Sequence, residues 1–216
     1  EKKGLSPKTV KCIHGILHKA LQQAVVVGYL RFNPADNCAL PRSTRKEIKP
    51  LDSEDISHFL KAIQGNPFED VFLVTLFTGM RKGEVLGLTW DCVDLERGHI
   101  LINKQLQNIP SKPGEYHLVP TKNSKGRMIT AAPSVVEVLK RHRTKQSEAR
   151  LRVGRLWEDS GLVFTDDLGH HLAPSTMYHH YKKIVASIGL PSARFHDLRH
   201  SYAVAAIRTG DDIKTV

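Results

Sequence analysis

Residues 68–86 read Phe-Glu-Asp-Val-Phe-Leu-Val-Thr-Leu-Phe-Thr-Gly-Met-Arg-Lys-Gly-Glu-Val-Leu. The stretch 68–77 is a strongly apolar helix, and Thr78-Gly79 ends it, since glycine supplies the backbone conformation that closes a helix. A new helix starts near Arg81 and carries Val85 and Leu86. Then the period changes. Residues 94–107 hold an Arg97-Gly98 turn followed by Ile100, Leu101 and Ile102, which suits strand pairing. Residues 117–131 read as a second hairpin with Asn123-Ser124-Lys125-Gly126 at its tip. From Ser134 the helical period returns, with Val135, Val138 and Leu139 inward. Leu162-Val163-Phe164 reads as a short strand before the Asp166-Asp167-Leu168-Gly169 turn, and Ser175–Ile188 and His196–Thr209 as two further helices.

Outward in the other direction, Asp52 caps a helix carrying Ile56, Phe59, Leu60 and Ile63. Residues 42–49 are polar, basic and aperiodic, so they read as a linker. Ser6-Pro7 opens an earlier helix on which Val10, Ile13, Leu17, Leu21, Ala24 and Val25 recur, and Gly28 stops it. A lone helix cannot bury such a stripe, so residues 1–41 are expected to be the end of a helical domain with the stripe exposed. The order of helices, a small antiparallel sheet, then helices predicts a mostly helical α+β domain and excludes an alternating βαβ fold. The predicted units are 1–41, the linker 42–49, and 50–216.

The 216 residues carry a formal charge of +10, and apolar residues make up 40%. That balance is globular, and no window approaches the apolar length of a membrane span. No secretory signal is visible at Glu1-Lys2-Lys3-Gly4. Cys12, Cys38 and Cys92 have no metal spacing and read as thiols of a reducing cytoplasm. The charge is concentrated: residues 1–50 carry +7, residues 140–155 carry +6, and the rest sum to −3. Two basic blocks suggest a polyanionic partner, against the plainer reading of solvated helix faces.

Three constellations carry chemistry. In Thr78-Gly79-Met80-Arg81-Lys82-Gly83-Glu84, Arg81 stands at a helix start, where free N–H groups favour an anion, and Glu84 can hold its guanidinium. In Phe195-His196-Asp197-Leu198-Arg199-His200, His196 and Arg199 share one helix face, a set suited to a phosphate oxygen and to proton transfer. The basic tip Thr121-Lys122-Asn123-Ser124-Lys125-Gly126-Arg127 can reach into a groove or toward a leaving group. Each has a plain alternative: an i, i+3 pair is common helix decoration, and a basic tip is usually a solvated turn. His196 and His200 also have metal spacing, but Asp197 stands where the metalloprotease pattern needs Glu, and no third ligand is obvious. His170-His171 and His179-His180 read as surface or DNA-facing side chains without metal-ligand geometry.

In that order and at that spacing, the three constellations resemble the tyrosine recombinase family of phage integrases and their relatives. Leu5-Ser6-Pro7-Lys8-Thr9-Val10 through Asn33-Pro34-Ala35 is similar to the last helix of that family's core-binding domain. The resemblance implies a helical catalytic domain with a small antiparallel sheet, preceded by that last helix. It implies site-specific cleavage and rejoining of double-stranded DNA at attachment or recombination sites, through a 3′-phosphotyrosyl link without metal or other cofactor. The setting is integration or excision of a phage or mobile element, by a homo-oligomer on DNA in the bacterial cytoplasm. Arg81 and Arg199 match the arginines that clamp the scissile phosphate. Lys122, with Lys125 as the alternative, matches the lysine that protonates the leaving 5′-hydroxyl, and His196 matches the histidine that assists proton transfer. Glu84 and His200 would support them. A catalytically idle DNA-binding relative, and a His-dependent metalloenzyme, are the competing readings.

The resemblance also implies a His or Trp and a tyrosine nucleophile beyond Arg199, and neither is matched before Val216. Tyr178, Tyr181 and Tyr202 read as helix packing. The 216-residue chain is therefore expected to form no covalent complex with a nicked suicide substrate; a trapped adduct would contradict this.

Overall fold

A computed structural model describes residues 4–42, 50–109, 112, 114–121 and 126–208, with side chains described up to Val204. The chain divides into two compact units, Glu1–Ile48 and Lys49–Val216. Most of the predicted linker, 43–49, lies outside the described residues.

The first unit holds helix α1 (Pro7–Val26), started by Ser6, whose hydroxyl accepts from the Thr9 N–H. No α1 residue is buried, and Ile13, Ile16 and Leu17 are exposed, as the stripe argument expects. What ties the helix down is polar. Asn33, 4% exposed, donates to the His18 carbonyl and to Gln22, while its own Oδ1 accepts the Ala35 N–H. His14 meets the Ala35 carbonyl and His18 meets Asp36 at 2.7 Å. The Asn33-Pro34 turn is thus clasped to the helix through side-chain hydrogen bonds, a partner set that hydropathy periodicity does not reveal.

The second unit is built around α3 (Glu69–Thr78). Seven of its ten residues are buried, including Phe72 and Val74 at 0% exposure. Helix α2 (Ser53–Ala62) precedes it, with Asp52 as N-cap and a reciprocal bond from the Asp52 N–H to Asp55. Helix α4 (Lys82–Leu86) follows after Gly79, which takes φ 62° and lies under the ring of Tyr202, where a Cβ would collide. Helices α5 (Pro133–Val153) and α7 (Phe195–Arg208) both pack on α3, and α6 (Pro174–Ser187) packs on α2. Phe59, Phe72, Tyr181 and Phe195 form one aromatic cluster with centroids 5.4–6.3 Å apart. Burial of rings of this size dominates core energetics.

The sheet corrects the second predicted hairpin. Strands β1 (Val93–Asp94) and β2 (His99–Ile102) pair across the Arg97-Gly98 turn as expected. However, β4 (Tyr116–Pro120) and β5 (Arg127–Thr130) pair with different strands: β5 with β2, and β4 with β3 (Lys104–Asn108). Residues 99–108 are in effect one strand broken at Asn103, and each half takes its own partner; the Asn103 carbonyl accepts the Thr121 N–H. Alternation marks strands but does not say which strand each pairs with. Leu162-Val163-Phe164 is buried yet makes no ladder, meeting the 88–90 segment through the Thr89–Leu162 bridge and the Val163 N–H to Leu88 carbonyl bond.

Helix α4 lies directly on β3. A Cβ on Gly87 would come within 2.5 Å of the Leu106 amide nitrogen and 2.8 Å of the Gln105 carbonyl carbon, both backbone atoms that cannot rotate away. We expect Gly87→Ala to lift α4 from the sheet and to cost on the order of 1–3 kcal/mol in urea unfolding. An unchanged midpoint would contradict so close an approach.

Candidate phosphate-binding site

The Gly79 turn, α4, β5 and α7 bring four side chains together. Glu84, the third residue of α4, is 1% exposed. Each of its carboxylate oxygens accepts twice. Oε1 takes Arg81 Nη1 at 2.8 Å and Arg127 Nη1 at 2.9 Å; Oε2 takes the Arg81 backbone N–H at 2.8 Å and Arg127 Nη2 at 2.7 Å. The Arg127 contact is a bidentate fork, the strongest geometry an arginine and a carboxylate can make. Burial pushes the Glu84 pKa up, but the bonds from Arg127 and Arg81 and the charge of Arg127 outweigh it and hold it at about 2, against an ordinary 4.5.

Arg199 reaches across from α7 and donates Nη1 to the Gly79 carbonyl. Burial lowers its pKa, the charges of Arg81 and Arg127 lower it further, and Glu84 opposes them. Arg81 and Arg127 thus share one buried carboxylate, and their charges act on the Arg199 guanidinium nearby. Arg81 keeps 56% of its side chain exposed and Arg127 37%, so both stay partly open to solvent.

One sequence expectation changes here. The free N–H groups that a helix start offers an anion do not include that of Arg81, which Glu84 takes at the start of this five-residue helix. Arg127 was not singled out as a site residue. The only signal for it in the sequence was its place at the end of the basic tip, because its partner is 43 residues away.

His196 lies exposed one turn before Arg199, edge-on to His200 with centroids 4.7 Å apart. Burial lowers its pKa, and His200, Arg199 and Arg194 lower it further against Asp197. A neutral imidazole can accept a proton, which suits it to general-base work. Lys122 and Lys125 lie outside the described residues. Tyr181 is fully buried and donates its hydroxyl to the Arg194 carbonyl, and Tyr178 stacks on it while remaining 38% exposed. Of the histidine pairs, His170 meets Asp166 and Glu158, whereas His180 is half-buried against Phe68, so the surface reading of that residue is corrected. Among the described residues, no three His, Cys, Asp or Glu side chains group as a metal site would need.

A model of the phage integrase family matches residues 47–216. A tyrosine recombinase XerC-like protein of Caldanaerobacter subterraneus subsp. tengcongensis is 30% identical over 99% of this chain and 59% of its own length. The ICEBs1 integrase of Bacillus subtilis is 28% identical over 99% of this chain and 58% of its own length. The chain thus spans about three-fifths of the length of these relatives. Among solved structures, the Tn1549 transposon integrase in complex with transposon right end DNA superposes with a TM-score of 0.82 at 22% identity, covering 99% of this chain and 71% of that one. A lambda integrase dimer bound to a COC′ core site gives 0.65 at 17% identity, over 97% of this chain and 70% of that one. These two establish the likeness of fold.

Because Glu84 is ionised in the folded state down to about pH 2 but protonates near 4.5 when unfolded, its contribution is complete above 4.5 and is lost as pH falls toward 2. The difference corresponds to roughly 3 kcal/mol. Acid unfolding of Glu84→Gln should accordingly be flatter than wild type between these limits. An identical acid limb would show that the carboxylate carries no such load.

Proposed function

Since this chain belongs to the phage integrase family, we propose that the protein is a site-specific recombinase that cleaves and rejoins double-stranded DNA during integration or excision of a phage or mobile element. The observation that carries the reading is the gathering of the Arg81, Arg127 and Arg199 guanidiniums about Glu84, three oriented cations at one point. Oriented cations of this kind stabilise charge that grows on phosphate oxygens in a transition state.

In this mechanism Arg81 and Arg199 hold the non-bridging oxygens of the scissile phosphate. A tyrosine hydroxyl attacks phosphorus; a new phosphorus–oxygen bond forms on the 3′ side as the bond to the 5′-oxygen breaks. His196 assists removal of the tyrosine proton, and Lys122, or Lys125 in its place, protonates the leaving 5′-hydroxyl. Glu84 fixes the Arg81 guanidinium and His200 supports His196. Tyr181 and Tyr202 do not serve as nucleophile, since the first is buried with its hydroxyl bonded and the second lies over Gly79. Reversal with a second strand rejoins the DNA.

The same reading assigns 1–41 to the C-terminal remnant of a helical DNA-binding core domain, 42–49 to a linker and 50–216 to the catalytic domain; the division of the chain into two units near residue 48 supports it. The protein acts as a homo-oligomer on DNA in the cytoplasm. Among the described residues, no helix is long and apolar enough to cross a membrane.

The test is covalent adduct formation on a nicked half-site by the complete gene product. Wild type should trap an adduct at the 3′-phosphate, and Arg81→Ala and Arg199→Ala should each reduce its rate by about 10²-fold or more, as loss of a charge-stabilising donor does. Duplex binding without any adduct would favour the idle relative; full rates in either variant would overturn the assigned roles.

A further inference from the structure

Beside the arginine cradle is an open hollow of about 250 Å³ lined by Met80, Lys82, Tyr178, Arg194, Phe195 and His196. Its apolar members, Met80 and Phe195, are 1% and 4% exposed and form a floor. Its polar members are exposed. The Lys82 ammonium stands 5.6 Å from the centroid of the Tyr178 ring, a cation–π distance that holds the charge over the hollow's edge. The Arg194 guanidinium is oriented by Asp197, which accepts from Arg194 Nη2 at 2.8 Å, Nε at 3.2 Å and the backbone N–H at 2.8 Å. The Arg194 side chain nevertheless stays 59% exposed.

The charges do not cancel. Asp197 is the acid that meets Arg194, and among the described residues Lys82 is held by a ring and by no carboxylate. Burial and the neighbouring Arg194 charge both act against a proton on His196, so this wall offers a neutral imidazole beside two cations. Neither Lys82 nor Arg194 has a part in the chemistry described above.

The position of the hollow gives it meaning. Lys82 follows Arg81 directly, and His196 precedes Arg199 by one helical turn. Each segment that supplies an arginine to the cradle therefore also supplies a wall of the hollow, and an anion in one would have an anion in the other as its neighbour. On a nucleic-acid strand, successive phosphates advance only about 3.4 Å along the axis. The volume is smaller than the roughly 300–1,000 Å³ of pockets built for whole small molecules.

We propose that this hollow is a second phosphate seat, in which Lys82, placed by Tyr178, and Arg194, placed by Asp197, bind the phosphodiester next to the scissile one on the same strand. The proposal rests on the DNA-cleaving reading above and adds two binding residues to it. With two consecutive phosphates gripped, the strand cannot slide by one nucleotide, so the seat fixes which phosphate enters the cradle.

The test is binding of a 30-base-pair duplex by this chain across a salt series. For wild type, the logarithm of affinity should fall steeply with the logarithm of salt concentration. Each phosphate neutralised contributes a slope of about 0.9, so Lys82→Gln with Arg194→Gln, which empties a seat for one phosphate, should lower the slope by roughly 0.9 and the affinity by about tenfold at 0.1 M salt. Lys82→Arg with Arg194→Lys should keep the wild-type slope, and Tyr178→Leu, in which Lys82 loses its ring, should lower it by less than the double glutamine variant does. Thermal unfolding of each variant, unchanged from wild type, separates lost contacts from lost structure. A wild-type slope in the double glutamine variant overturns the seat while leaving the cleavage reading intact; absence of duplex binding by wild type overturns both. Saturable binding of inorganic phosphate that the double variant abolishes, with the duplex slope unchanged, identifies a seat for a free anion and contradicts the strand assignment.

Discussion

A single buried carboxylate governs the arrangement of this protein's site. Glu84 is almost wholly removed from water, and an ionised acid in that position is stable only if its lone pairs are met by strong donors. Four hydrogen bonds from Arg81 and Arg127 meet them. The need runs in both directions. The acid keeps the arginines from drifting apart, and the arginines keep the acid charged to about pH 2. The acid thereby gathers Arg81 and Arg127 close to Arg199, whose pKa their charges lower. An oxyanion with two or three free lone-pair directions is the chemical complement of such clustered guanidiniums.

The fold supplies the close approaches that this arrangement needs. Gly79 turns the chain at φ 62° beneath Tyr202, so α7 can come near enough for Arg199 to reach the Gly79 carbonyl. Gly87 lets α4 lie against β3, which sets Glu84 within reach of Arg127 on β5. The apolar helix α3 anchors both sides, with α4 continuing from its end and α7 packed along it. Its own buried hydroxyls, Thr75 and Thr78, are satisfied by the carbonyls of Val71 and Val74, so neither is left unpaired in the core.

Much of this was legible along the chain. The apolar run at 68–77, its glycine stop, the Asp52 cap and the Arg97-Gly98 turn each depend on neighbours a few residues apart, and local physics decides them. What sequence did not reveal lies in long-range pairing. Strands 116–120 and 127–130 have hairpin-like patterning, yet each pairs with one half of a strand broken at Asn103. Arg127 gains its significance from an acid 43 positions earlier. In the sequence the basic block at 140–155 suggests a polyanionic partner or a solvated helix face. Part of it is committed within the fold: Arg141, His142 and Lys145 gather on Asp70, Arg150 meets Asp159, and Arg143 covers the ring of Trp90. Net charge counts cations before their partners are known. The catalytic lysine candidates, Lys122 and Lys125, lie outside the described residues and remain a reading of the sequence motif.

The central claim is that the arginine cradle around Glu84 binds a phosphoryl oxyanion through Arg81 and Arg199 jointly. Thermal unfolding of this chain with increasing inorganic phosphate, at constant ionic strength, tests it most directly, because an anion that binds the folded state raises the midpoint in a saturable way. The account predicts a saturable rise for wild type that is lost in both Arg81→Met and Arg199→Met. A rise that never saturates, or one that persists unchanged in either variant, would contradict it.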